Sequence, residues 1–360
     1  MSLAADAAPR AHEGASGSTG PEARGAVRRG SWRLLWLLVC LGVLVGVVLA
    51  SIAIGSRQIP VGVVIDALTD PSTSDDEHVV VRSLRVPRTI AGLLVGVALG
   101  LAGAVMQGVT RNPLADPGLL GVSAGASFAV VFGISILGVG NALGYIWFAF
   151  VGAAVASVVV YTLGAIGRGG ATPVKLALAG AAVTSFLLSM TTAMLLMDQS
   201  TLDEYRFWAV GSIAGRDRDV LTQLAPFIVV GALMALAAGP VLNSLALGDD
   251  VARSLGSRVG LARAFAAASV VLLVGAATAL AGPIGFVGLT IPHVARAITG
   301  PDYRWVLAYS MVLAPILLLG SDVIGRVVAR PGELQVGIVT AVVGAPFFVM
   351  LVRRRKLAEL

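Results

Sequence analysis

The sequence predicts an all-α polytopic membrane protein of about ten spanning helices. Three observations carry that prediction. Of the 360 residues, 57% are hydrophobic and only 13% are charged, about half the charged share of a soluble domain. The apolar runs are about twenty residues long, the length a helix needs to cross a bilayer, whereas barrel strands would alternate over segments of about ten. Glycines recur inside these runs at helical spacing. Gly92, Gly96 and Gly100 share one face, where they let a neighbouring helix approach closely.

Residues 1 to about 30 are rich in Ala, Gly, Ser, Pro and Arg and lack apolar periodicity. They read as a disordered cytoplasmic tail (1–30) ahead of a transmembrane domain (31–356). A cleaved signal peptide is the alternative, although the run that follows is too long for its apolar region. Spans are expected at Trp32–Gly55, Thr89–Thr110, Leu119–Val139, Leu143–Gly167, Val174–Met197, Val220–Leu242, Leu261–Ala281, Ile284–Ile298, Trp305–Gly325 and Val336–Val352. The stretch from Leu261 to Ile298 is too long for one helix. Gly282-Pro283 divides it into a hairpin and leaves the eighth span short.

Loop charges orient these spans. With the N-terminus inside, the larger share of loop cations is cytoplasmic, including Arg28, Arg29, Arg111, Arg253, Arg258, Arg263, Arg354 and Arg355. Both termini are then cytoplasmic. The net charge of +6 is explained by this bias and calls for membrane lipid, not nucleic acid, as the partner. Cys40, the single cysteine, lies in the first span, so there is no disulfide framework. A faint internal repeat lays Gly96–Pro113 over Gly275–Pro292, with Gly96/Gly275, Gly103/Gly282 and Pro113/Pro292 among the identities. It places the second span over the seventh, running the opposite way, as an inverted repeat of two five-helix halves requires. Chance similarity in an Ala/Gly-rich chain is the alternative.

The residues for catalysis are missing. Lys175 and Lys356 are the only lysines and neither follows a Gly-rich loop, so no Walker A motif binds nucleotide. No His/Cys/Asp/Glu grouping has metal-ligand spacing, and no serine stands in a GxSxG frame. The expected protein is not an enzyme and needs no metal or cofactor.

The cytoplasmic connection 243–263, NSLALGDDVARSLGSRVGLAR, is long for a link between two spans. Asp249 and Asp250 suit the cap and first turn of a short helix, Val251 and Leu255 lie on one face, and Gly256 suits its C-terminal stop. Such a helix lies on the lipid surface, or inserts its apolar stripe into a groove of a partner. At the other end of the second span, Arg85 and Arg88 flank Pro87 and read as interfacial anchors or as exposed cations awaiting carboxylates. Arg326 has Asp322 four residues before it, the spacing of an ordinary helix-face ion pair. His293 is an intramembrane ionisable residue without a carboxylate near it in sequence, and reads as structural more than as a proton relay.

Four stretches together resemble one family. RVPRT…GAVMQ…RNPLADPGLLGVSAGAS, LALGDDVARSLG, AGPIGFVGLTIPHVAR and ELQVGIVTAVVGAPFFVML are similar to the FecCD-type permeases, the membrane subunits of ABC importers for iron-siderophores, haem and cobalamin. The resemblance covers residues from about 57 to 353 and leaves out the N-terminal tail. It implies a type II ABC importer permease in the bacterial plasma (inner) membrane, working as one of a homo- or heterodimeric pair. ABC ATPase subunits would bind below and an extracytoplasmic solute-binding protein would dock above. It implies docking roles for Arg85, Arg88 and Arg326. It implies ATPase coupling by Leu247, Gly248, Asp249, Asp250, Val251, Ala252, Arg253, Leu255 and Gly256, within the LxLGxxxAxxLG pattern. Thr172, in the turn Arg168–Lys175, would belong to a cytoplasmic gate or would simply sit in a Gly/Pro turn. The expected cargo is a ferric siderophore, with haem and cobalamin open. An ion-coupled secondary transporter is the rival class, but no span carries the central carboxylate pair that it would want.

Overall fold

A computed structural model describes residues 21–70, 75–139, 142–167 and 172–353. The chain forms two units, residues 1–39 and 40–360, and the candidate sites lie in the second. Helix α1 (Pro21–Ala53) opens the described chain. It starts earlier than the tail expected to end near residue 30. Pro21 suits a first turn because its missing N–H has no intrahelical partner there anyway. Residues 1–20, the rest of that tail, lie outside the described residues.

Two short helices that hydropathy alone does not reveal come next, α2 (Val61–Thr69) and α3 (Asp76–Val80). The Asp75 carboxylate accepts from the Glu77 N–H and starts α3. A π-helical turn, Val81–Arg85, then runs without a break into α4 (Val86–Thr110). Arg111 ends α4 in the left-handed region, at φ 50°. A 3-10 turn (Pro117–Leu120) leads to α5 (Val122–Leu137), α6 (Ala142–Ala165), α7 (Pro173–Met197), α8 (Gln199–Ala209) and α9 (Arg218–Ala237). The sixth expected span is broken at Ala238, where Gly239 and Pro240 begin a separate α10 (Gly239–Ala246). Then follow α11 (Asp249–Ser254), α12 (Val259–Ala281), α13 (Val287–Thr299), α14 (Tyr303–Val328) and α15 (Val336–Arg353).

Each expected span maps to a helix. Among the described residues seven helices are long and apolar enough to cross a membrane by length and composition. The difference from about ten lies in α5, α13 and α15, at 16, 13 and 18 residues, below the roughly twenty a full crossing takes. The division at Gly282-Pro283 appears where the sequence places it. Gly282 stops α12 at φ 74°, and α13 resumes only at Val287.

Helix α4 is the core. The stretch Asp76–Thr110 is 78% buried over its most apolar window, against 11% for α7. It is packed by α9, α12, α13 and α14, so the two helices the repeat would superpose, α4 and α12, touch each other. The glycine face does what its spacing requires. A Cβ on Gly96 would stand 2.6 Å from Pro315 Cα, and one on Gly100 2.6 Å from the Ser310 carbonyl, both on α14. Backbone contact this close suits a membrane interior, where packing and not water drives helix association.

Candidate functional site

The two ends of α4 carry different chemistry. Arg111, at its C-terminal end, bonds Asp249 of α11 at 3.1 Å. Arg88, near its N-terminal end, bonds Glu333 at 2.6 Å. About 35 Å of helix at 1.5 Å per residue separates them.

At the Arg111 end, α11 forms a short anchored helix that projects an apolar stripe. Asp249 is held by Arg111 and also by Arg263 at 2.9 Å, so the end of α4 and the first turns of α12 both fix it. Asp250 pairs with Arg253 at 2.7 Å. The cap differs from the expected aspartates. Gly248 is the N-cap, and Asp249 and Asp250 fill the first turn, where the helix dipole favours acids. The stop is as expected. Gly256 has φ 83°, its N–H donates to the Arg253 carbonyl, and the Ser257 N–H donates to the Ala252 carbonyl, which is a Schellman ending. Ala252 and Leu245 point inward and are buried. Leu247, Val251 and Leu255 point outward at 64%, 44% and 63% exposure. Beside this helix the polar loop after α4 is ordered by its own side chains. Asn112 accepts from the Leu114 N–H, and Asp116 from the Gly118 N–H. His293 Nε2 lies 2.8 Å from the Pro113 carbonyl and ties α13 to this loop, a structural use of that histidine. Arg296 bonds Gln107 and, at 3.3 Å, the Tyr303 hydroxyl.

Thr172 is the N-cap of α7, its hydroxyl accepting from the Lys175 N–H at 3.4 Å. Residues 168–171, the earlier part of the turn Arg168–Lys175, lie outside the described residues.

At the other end Arg85, Arg88 and Arg326 come together, as one cluster from α4 and α14 and the turn before α4. Arg85 and Arg88 are not the exposed cations of one of the two readings: they and Arg326 are buried, with 5%, 9% and 1% of their surface accessible. For Arg85 and Arg326 the reason is the end of α1, whose last carbonyls have no partners within the helix. Arg85 donates to the carbonyls of Ile52, Ala53 and Arg57 at 2.6–2.9 Å. Arg326 donates to those of Ser51 and Ile54, and Arg330 to that of Gly55. Their charge also complements the negative end of the helix dipole. Asp322 is shared. Arg326 bonds it within α14, and Arg88 bonds it through Nε and Nη2, the latter at 2.7 Å. Glu333, in the segment between α14 and α15, completes the series by bonding Arg88 Nη1, and accepts from Ser56 Oγ at 2.8 Å. Burial pushes the Glu333 carboxyl up, but the hydrogen bond and charge of Arg88, with Ser56 and Arg326, outweigh this and hold it below its ordinary value. A pocket of about 230 Å³ opens here, lined in part by Ser56, Arg57, Arg85, Arg88, Arg326 and Glu333. Sequence reasoning passed over Glu333. Its signal is a lone acid in the RPGELQ segment just after two arginines, Arg326 and Arg330.

Among the described residues the chain is an all-helical, multi-pass domain with an anchored apolar knob at one end and a charged pocket at the other. The chain belongs to the FecCD transport family, whose model matches residues 43–354. The ferric enterobactin transport system permease protein FepD of Escherichia coli is 46% identical over 306 residues, 85% of this chain and 91% of FepD. The cobalamin import system permease protein BtuC of Halobacterium salinarum is 37% identical over 285 residues, covering 79% and 76%. A solved structure described as an inward-facing conformation of a putative metal-chelate type ABC transporter superposes with a TM-score of 0.77 at 25% identity, covering 88% of this chain and 98% of that one. The protein is thus a multi-pass FecCD-type transport permease and not itself an enzyme.

Proposed function

We propose that this chain carries a ferric siderophore into the cytoplasm as one of two permease subunits, identical or sister, driven by separate ABC ATPases. A solute-binding protein delivers the cargo at the arginine-rich end. The observation that carries the reading is the α11 knob. It is held by ion pairs to the end of α4 and to α12, its apolar stripe faces out, and it has no nucleotide chemistry of its own. That is what a rigid lever engaging another protein needs. The similarity to FepD favours a siderophore over cobalamin as cargo. An ion-coupled mechanism would need an unpaired intramembrane carboxylate, and Asp322 is paired with two arginines. The test is uptake in a host deleted for its own siderophore permeases and supplied with this chain, its ATPase and its binding protein. Radio-iron should enter as ferric enterobactin or another ferric siderophore. Cobalamin uptake without iron uptake would overturn the cargo.

Orientation has its own test. Arg218 Nη2 donates to the Arg82 carbonyl, which places the start of α9 beside the turn before α4. In a Cys40→Ala background, cysteines replacing the exposed Asp76 and Asp217 should react with a membrane-impermeant thiol reagent in intact cells. A cysteine replacing Ser254, the last residue of α11, should react only after lysis. Labelling at 254 in intact cells would reverse the topology and remove the ATPase from this end.

A further inference from the structure

The three buried arginines are not equally committed. Arg326 uses Nε and both terminal nitrogens on Asp322, Ser51 and Ile54. Arg85 uses both terminal nitrogens on carbonyls at and just beyond the end of α1. Neither is released without undoing that helix end. Arg88 differs. Its Nε and Nη2 face Asp322, but among the described residues Nη1 bonds Glu333 alone. The Asp322 side chain is 1% exposed, whereas that of Glu333 is 33% exposed and lies outside the spanning helices. Among the described residues Glu333 accepts one further hydrogen bond, from the Ser56 hydroxyl, an exposed contact. One surface side chain can therefore turn away and uncover one guanidinium nitrogen at the mouth of a pocket that also holds Arg57.

We propose that Glu333 is a stand-in carboxylate, bonded to Arg88 while the subunit is undocked and displaced by an acidic side chain of the solute-binding protein on docking. The inference rests on the reading that such a protein docks at this end. The logic is electrostatic. An uncovered Nη1 in a half-buried pocket is an unmade charge-assisted bond, so the fold supplies its own acceptor. Exchange of one carboxylate for another leaves the bond count unchanged. Glu333 then competes in every encounter, weakening the complex and hastening release, which suits a carrier that must leave after each delivery.

The experiment measures binding of the purified solute-binding protein to the complete permease–ATPase complex in nanodiscs. Glu333→Gln removes the competing charge at constant shape. It should tighten binding about tenfold, mainly through slower dissociation. Asp217→Asn makes the same change in net charge at an exposed site on the same end and should change only the association rate. In an Arg88→Gln background Glu333→Gln should have no effect. Glu333→Asp, which keeps the charge but draws it back from Arg88, is the second variant if the glutamine variant fails to assemble, and it too should tighten binding. Unchanged or weaker binding by the assembled Glu333 variants, or a gain no larger than that of Asp217→Asn, overturns the stand-in role while leaving the importer reading intact. A wild-type complex that binds no solute-binding protein overturns the docking reading and the proposal with it.

Discussion

Replacing Leu255 by Asp is expected to strip the ATPase from the permease while leaving the permease folded. Leu255 is 63% exposed in the isolated chain, so the substitution removes little internal packing. If the stripe of Leu247, Val251 and Leu255 fills a groove of the ATPase, an aspartate there is buried without a partner, at a cost of several kcal/mol. A loss of about 3 kcal/mol is more than a hundredfold in affinity. The measurement is co-purification of the ATPase, with siderophore uptake and ATP turnover recorded in parallel. Gly256→Val is the companion. No atom crowds a Cβ at Gly256, but its φ of 83° is one a β-branched residue rarely adopts. The variant should misaim the segment entering α12 and uncouple ATP turnover from uptake, with assembly less affected than in Leu255→Asp. Retained ATPase and normal uptake in both variants would show that α11 is not the lever.

The sequence made the spans legible because membrane helices announce themselves by length and apolarity. The break at Gly282-Pro283, the Gly256 stop and the α4 glycine face were legible for a similar reason, since each depends on local backbone chemistry. The short helices α2, α3 and α8 were missed because none is long enough to carry a hydropathy signal. The N-cap of α11 falls at Gly248, before the two aspartates that the sequence offers, since a glycine cap gives no side-chain signature and the acids after it look like caps. The arginine cluster was legible as residues but not as an arrangement. Whether Arg85, Arg88 and Arg326 face outward depends on where α1 ends in space, and on partners 234 and 245 residues away from Arg88 in sequence. Local spacing cannot report such pairings. The one pair it could report, Asp322 with Arg326 at four residues, is present.

That pair sets the second large expectation. Asp322→Asn should destabilise the permease by about 3–5 kcal/mol, the cost of leaving a buried charge without its partner. The Asp322 side chain is 1% exposed, and it accepts from Nε and Nη2 of Arg88 and from Nε and Nη2 of Arg326. An asparagine of the same shape offers one neutral oxygen and turns two donors toward guanidinium groups that are themselves only donors. The damage spreads because Arg326 also holds the Ser51 and Ile54 carbonyls, while Ser51 Oγ lies 2.8 Å from Thr89 Oγ1. One carboxylate therefore fastens α14, α4 and the end of α1 together. The measurement is the yield and thermal midpoint of the detergent-extracted protein. Asp322→Asn should lose most of its folded yield, or melt well below wild type. Glu333→Gln, at the exposed end of the same series, should melt close to wild type because solvent replaces much of what it loses. Equal midpoints for Asp322→Asn and wild type would mean that water, not the carboxylate, neutralises the arginines. The cluster would then be a solvated surface, and the expectation of exposed cations would return in place of the buried network.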